Sequence, residues 1–136
     1  MSSRFDYANV APGVYDAMDR LDGYIGGCGL EESLIHLVRL RASLGEAEQR
    51  LYSLDAWREC PYYTARERAA LAWTEAVTHI ATGHVPDTVL EEARRQLSEK
   101  ELADLTLVVA TINAWNRLSI AARLEPGTYQ PAAAAR

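Results

Sequence analysis

Apolar residues recur at steps of three and four through almost the whole chain, and this spacing restricts the fold more than any other feature. The clearest example follows Ser98 and consists of Leu102, Leu105, Val109 and Ile112. Such spacing places side chains on one face of an α-helix. No segment shows the alternation of apolar and polar residues that is typical of a half-buried strand. We therefore predict an all-α fold.

Start and stop signals divide this pattern into helices. Thr64–Glu67 and Ser98–Glu101 have capping-box sequences, in which the first hydroxyl can accept from the fourth amide. Pro12 and Pro86 are typical of a first helical turn. Gly83 is expected to end a helix in a left-handed conformation. The predicted helices, about six, cover 12–25, 30–42, 46–57, 64–83, 86–97 and 98–124.

The length and composition are those of one globular domain. The chain has 136 residues, of which 49% are hydrophobic and 24% are charged. These fractions exclude a disordered or collagen-like protein. We expect residues 1–130 to form a single domain. The last residues, 131–136, follow a turn signal at Pro126 and Gly127 and are expected to be a flexible tail.

The charge pattern argues against nucleic acid as a partner. The 14 basic residues are scattered among 19 acidic ones, and the net charge is -5. A phosphate backbone would require a basic patch. No apolar run approaches the roughly 20 residues of a membrane-spanning helix. We therefore expect a cytoplasmic protein with no membrane partner. Wide apolar stripes on the helices predict a homo-oligomer, and a small-molecule ligand stays open.

Few residues suggest chemistry. Cys28 and Cys60 lie 32 positions apart, a spacing that fits neither a disulfide framework nor a zinc site. His79 and His84 are five apart and do not share a helix face, so we expect no metal and no cofactor. Glu75 and His79 have the i,i+4 spacing of a local pair, or of an acid-base couple if they face a pocket.

Polar and aromatic residues of the helices favour structural roles. Asn113 and Asn116 lie in an otherwise apolar helix and are expected to bond to neighbouring helices, with the wall of a pocket as the alternative. Trp57, Trp73 and Trp115 are expected in the core or a subunit interface, with acceptors for their indole N–H groups.

Several sequence blocks resemble a known family. They are "LVRLRAS" (Leu37–Ser43), "LGEAEQRLYSLDAWRE" (Leu44–Glu59), "YTARERAALAWTEAVT" (Tyr63–Thr78), "GHVPD" (Gly83–Asp87) and "DLTLVVATINAWNRLSIAAR" (Asp104–Arg123). In order and content they resemble the alkylhydroperoxidase AhpD-like branch of the carboxymuconolactone decarboxylase superfamily, from about Tyr7 to Gln130. The resemblance implies an oligomeric helical bundle whose family activity is thiol-dependent peroxide reduction in antioxidant defence.

The sequence departs from the family at its active-site motif. In the family, Arg-Ala-Ser is followed by Q-I-N-G-C-x-x-C-x-x-x-H, in which one cysteine forms a thiolate that attacks a peroxide and the other thiol resolves the sulfenic acid. Here Ser43 is joined directly to Leu44, and about eighteen residues with both catalytic thiols are absent. His36 stands where the family relay has a glutamate. No family site residue can therefore be carried over to this chain.

Two origins of this gap stay open. One is a natural deletion, and the other is a native protein that contains an internal segment missing from this sequence. The junction of Ser43 and Leu44, which we call the joint, is compatible with folding. Eighteen helical residues are five turns, so their absence would leave the apolar stripes on both sides nearly in phase. Ser43–Glu46 also has an S-x-x-E pattern that can stop one helix and start the next. We expect a scaffold of the family with little or no peroxidase activity.

Two other functions remain as alternatives. The superfamily's decarboxylase branch uses acid-base chemistry on a small lactone acid without cysteines or metal. In this chain His36, Glu75 and His79 would have to converge on one pocket for that reaction. A non-catalytic oligomeric interaction module would instead show a large apolar face and no polar pocket.

Overall fold

The computed structural model describes residues 2–44 and 57–124, and these residues form helices and no strand. The helices are α1 (Tyr7–Val10), α2 (Gly13–Gly27), α3 (Glu32–Leu44), α4 (Ala65–Thr78), α5 (Asp87–Gln96) and α6 (Glu99–Ala122). The all-α prediction is confirmed. Of the helix predicted over 46–57, only Trp57 is described, and it lies in a turn. The predicted tail 131–136 lies outside the described residues.

Helices α3, α4 and α6 run in the same direction, and Arg66 joins the ends where they begin. Its guanidinium donates to both oxygens of Glu31, at 2.8 and 3.0 Å. It also lies 2.7 Å from Glu101 and donates to the carbonyl of Gln96 at 2.8 Å. One planar side chain, with five N–H donors, therefore fixes the starts of three helices and the end of α5.

Neutral polar side chains join the opposite ends of the same three helices. The amide of Asn113 donates to the Thr78 hydroxyl at 3.1 Å, and that of Asn116 donates to the Ser43 hydroxyl at 3.4 Å. Both asparagines therefore have the structural role that their positions in an apolar helix predicted. These contacts place the end of α3 and the end of α4 beside the second half of α6.

The main core fills the space between these two polar ends. Its fully buried members come from α3, α4, α5 and α6, and they include Val38, Ala70, Ala93, Leu105, Val108 and Val109. Leu71 belongs to a second cluster with Trp57, which is 5% exposed. Burying a side chain the size of Leu or Val contributes about 1.5–3 kcal/mol. The apolar stripes, rather than the polar ends, therefore supply most of the stability.

The two capping boxes have different outcomes. The Thr64 box is complete, because the Thr64 hydroxyl accepts from the Glu67 amide and the Glu67 carboxylate accepts from the Thr64 amide. The Ser98 hydroxyl accepts from the Glu101 amide at 3.1 Å. The Glu101 carboxylate, however, binds Arg66. An ion pair with a side chain of another helix is thus the contact of this carboxylate.

The structure corrects two predicted helix ends. Helix α4 ends at Thr78, five residues before Gly83, because the chain turns from His79 through His84. Gly83 does have the expected positive φ, at +91°. Helix α3 continues through Ser43 to Leu44, so Ser43 is not a helix stop. Its hydroxyl accepts from the Asn116 amide at 3.4 Å, and the capping partner predicted for it, Glu46, lies outside the described residues.

The turn after α4 contains backbone strain that a substitution can test. His84 is exposed and has φ of 51°, in a region that costs a residue with a Cβ roughly 1–2 kcal/mol. We expect His84→Gly to raise the free energy of unfolding by about 0.5–1 kcal/mol, since glycine has no Cβ to clash. His84→Ala keeps the Cβ and serves as the control, with no such gain. Equal effects of the two variants on urea unfolding would contradict the presence of backbone strain at His84.

Candidate functional site

The strongest polar cluster of the described residues surrounds Glu75 on α4. Its Oε1 accepts from Arg41 Nε at 2.9 Å and from the Trp57 indole at 2.7 Å. Its Oε2 accepts from Arg58 at 2.8 Å. We call Arg41, Trp57, Arg58 and Glu75 the Glu75 cluster. It joins α3, α4 and the turn that contains Trp57.

Burial and hydrogen bonding act in opposite directions on Glu75. Burial raises the pKa of its carboxyl group, while the hydrogen bonds from Trp57, Arg41 and Arg58 lower it, and the net result is a lowered pKa. The carboxylate is therefore ionised at neutral pH and acts as an acceptor. Because its oxygens are used by these donors, it is poorly suited to shuttle a proton.

The two arginines of the cluster differ in exposure. The Arg41 side chain is 12% exposed and that of Glu75 is 17% exposed, so this pair is largely shielded from water. The Arg58 side chain is 62% exposed and lies over the Trp57 ring, 4.5 Å from its centroid. Such a cation–π contact is worth about 0.5–1 kcal/mol at an exposed site. The Arg41–Glu75 contact is thus the inner half of the cluster, and Arg58 covers it from the outside.

The three candidates for acid-base chemistry are not brought together by the observed contacts. His36 is exposed on α3, and His79 is exposed at the carboxyl end of α4. The His79 amide donates to the Glu75 carbonyl at 3.0 Å, a bond of the backbone. The observed hydrogen bonds of the Glu75 carboxylate go to the other members of its cluster. The decarboxylase alternative therefore gains no support from this geometry.

The two cysteines lie in separate parts of the fold. Cys28 follows the last residue of α2 and packs against the main core. Cys60 follows the turn that contains Trp57, and its carbonyl accepts from Arg68. Both thiols are free and partly buried. In the ranges 2–44 and 57–124, no group of three or more His, Cys, Asp or Glu could hold a metal ion.

The indole groups have the acceptors that the sequence led us to expect. Trp57 donates to Glu75, Trp73 donates to the Thr106 hydroxyl at 3.0 Å, and Trp115 donates to Asp22 at 3.0 Å. The role of Arg41, by contrast, was not predicted. Arg41 lies on the apolar stripe of α3, and this position could have indicated its role, because a charged residue within a buried stripe needs a partner.

Comparisons with known proteins identify close relatives. No family model matches the chain. The chain is 33% identical over 139 residues to the uncharacterized protein YdfG of Bacillus subtilis (strain 168), with 89% of this chain and 95% of YdfG covered. It is also similar to the crystal structure of ATU0492 from Agrobacterium tumefaciens, with 34% identity and a TM-score of 0.82. That match covers 91% of this chain and 97% of ATU0492, a protein of unknown function described provisionally as antioxidant defence protein AhpD.

The Glu75 cluster should make stability depend on pH. We expect Glu75→Gln to lower the free energy of unfolding at pH 7 by about 2 kcal/mol, since Arg41 would keep its burial and lose the charge of Glu75. Because the folded pKa is below the ordinary value of 4.5, this stabilisation is present above about pH 4.5 and is lost as pH falls through the folded pKa. Urea unfolding between pH 3 and 7 measures the difference between the two proteins.

A matched control is Glu92→Gln, in an exposed pair with Arg95. Exposed pairs of this kind contribute roughly 0.2–1 kcal/mol, so this variant should remain close to the parent at every pH. A Glu75→Gln deficit that stays constant down to pH 3 would contradict the ionised cluster.

Proposed function

Since the chain belongs to the AhpD-like family, we propose that it is a member that keeps the helical scaffold without the thiol redox centre. The activity that this family implies is thiol-dependent peroxide reduction in antioxidant defence. The observation that carries the proposal is the joint at Ser43, where the family motif with both catalytic cysteines has no counterpart. The polypeptide of this sequence is then inactive as a peroxidase.

The extent of the match to YdfG supports a missing segment. The alignment spans 139 positions, while 89% of a 136-residue chain is about 121 residues. At least about 18 positions of the alignment therefore contain a residue of YdfG and no residue of this chain. This number equals the length of family pattern that is absent at Ser43.

The positions of the remaining cysteines also support the proposal. A peroxidatic thiol is activated at a helix N-terminus or beside a cation, and a resolving thiol must be able to reach its sulfur. Cys28 stands at the carboxyl end of α2, and Cys60 stands between a turn and Pro61. Neither occupies the first turn of a helix. The i,i+3 arrangement that the family uses to join the two thiols cannot be formed by residues 32 positions apart.

We further propose that the scaffold acts as a homo-oligomer. Several large apolar side chains at its surface are exposed, namely Phe5, Val10, Tyr24, Tyr62, Ile80 and Ile120. Contact with a second subunit would remove such side chains from water. An oligomeric module without catalysis is the function that we propose for this scaffold. Among the described helices, none is long and apolar enough to cross a membrane.

The test is an intact mass of the protein expressed from its native gene, together with turnover of an organic hydroperoxide in the presence of a dithiol reductant. We expect a mass of 15.1 kDa and no turnover above the uncatalysed rate. The Cys28→Ala/Cys60→Ala double variant is the matched control and should behave identically.

Two results would overturn the proposal. A mass greater by roughly eighteen residues, with turnover abolished by alkylation, would restore an ordinary two-cysteine peroxidase. A mass of 15.1 kDa with turnover that the double variant loses would show that Cys28 or Cys60 supports the reaction.

A further inference from the structure

We propose that Glu75 is a clamp that holds both ends of the chain around the joint, so that the scaffold tolerates different lengths of chain between Arg41 and Trp57. This inference concerns the fold and stands whether or not the protein reduces peroxides. It accounts for a fold that matches ATU0492 with a TM-score of 0.82, although about eighteen residues of family pattern are absent beside Ser43.

The contacts of the clamp lie on both sides of the joint. Arg41 is two residues before Ser43, in the last turn of α3. Trp57 and Arg58 are the first described residues beyond the joint. All three donate to one carboxylate at 2.7–2.9 Å, so the end of the first segment and the start of the second are fixed to the same atoms.

The position of the carboxylate does not depend on the intervening chain. Glu75 is carried by α4, which begins with the complete capping box of Thr64 and Glu67. The neighbouring residues Leu71 and Thr74 are both fully buried. At the start of α4, Arg66 is bound to Glu31 and Glu101. The position of Glu75 is therefore set by the packed core and not by the chain between Arg41 and Trp57.

Because Arg41 and Trp57 are both fixed to Glu75, lengthening the chain between them should have a small and calculable effect on the folding equilibrium constant. Residues 42–56, fifteen in number, lie between Arg41 and Trp57. Eighteen more would roughly double this length, and the closure penalty grows only with the logarithm of length. The equilibrium constant for folding should therefore fall by about threefold. Without anchors the added chain could carry the Trp57 segment away from α4.

The experiment inserts an 18-residue Gly-Ser segment between Ser43 and Leu44 of the full chain. Urea unfolding measures the folding equilibrium constant, and the NMR signal of the Trp57 indole N–H reports its bond to Glu75. We expect a loss of about threefold in the constant and an unchanged indole signal. A loss of more than a hundredfold, or an indole signal at the position of an exposed tryptophan, would overturn the proposal.

Two further variants show whether the clamp is the cause. With Glu75→Gln, the same insertion should displace the Trp57 indole signal, and an unchanged signal would contradict the clamp. The matched control combines the same insertion with Glu92→Gln, which removes only an exposed pair with Arg95. In this control we expect the Trp57 indole signal to stay unchanged. A displaced signal there would mean that the displacement does not depend on the clamp, and the proposal would fall.

Discussion

The carboxylate of Glu75 is the contact on which the arrangement around the joint depends. It binds Arg41 on α3 and both Trp57 and Arg58 beyond the joint. These groups are far apart in sequence, so the contact exists only when α3 and α4 are packed. A buried ion pair has a desolvation cost that can cancel its attraction. Glu75 lowers that cost by accepting an indole N–H as well, and the cluster therefore specifies position more than it adds stability.

The fold has a polar connection at each end of an apolar core. At the starts of α3, α4 and α6, Arg66 binds Glu31 and Glu101. At the other ends, Asn113 and Asn116 reach α4 and α3. Between them the side chains are almost entirely apolar and buried. Directional bonds at both ends fix the register of three parallel helices, while area removed from water stabilises them.

This arrangement separates the scaffold from the chemistry of its family. The resemblance implies that the catalytic thiols of the family belong to a segment that would follow α3, whereas the packed core is formed by α3, α4, α5 and α6. In the proposed scaffold member, the absence of such a segment would remove the reaction and leave these core contacts in place. The proposed scaffold member is consistent with this separation, because each helix neighbouring the joint retains its own anchors.

The sequence predicted the parts of the fold that depend on local chemistry. The helical periods, the Thr64 capping box and the positive φ of Gly83 are set by neighbouring residues, and they were predicted correctly. The end of α4 at Thr78 was not, because Thr78 binds Asn113 of α6, a residue distant in sequence. The Glu75 cluster was not predicted for the same reason. The sequence shows that Glu75 and His79 are neighbours on a helix, but Arg41 and Arg58 come into contact with Glu75 only in the folded chain.

The most direct measurement is a double-mutant cycle between Arg41 and Trp57, which both bind Glu75. Arg41→Met and Trp57→Phe each remove one donor, and urea unfolding gives the free energies of the single and double variants. If one carboxylate joins the two chain ends, the effects should be non-additive by about 0.5–3 kcal/mol, and this coupling should vanish with Glu75→Gln. Effects that add to within about 0.5 kcal/mol would contradict the account.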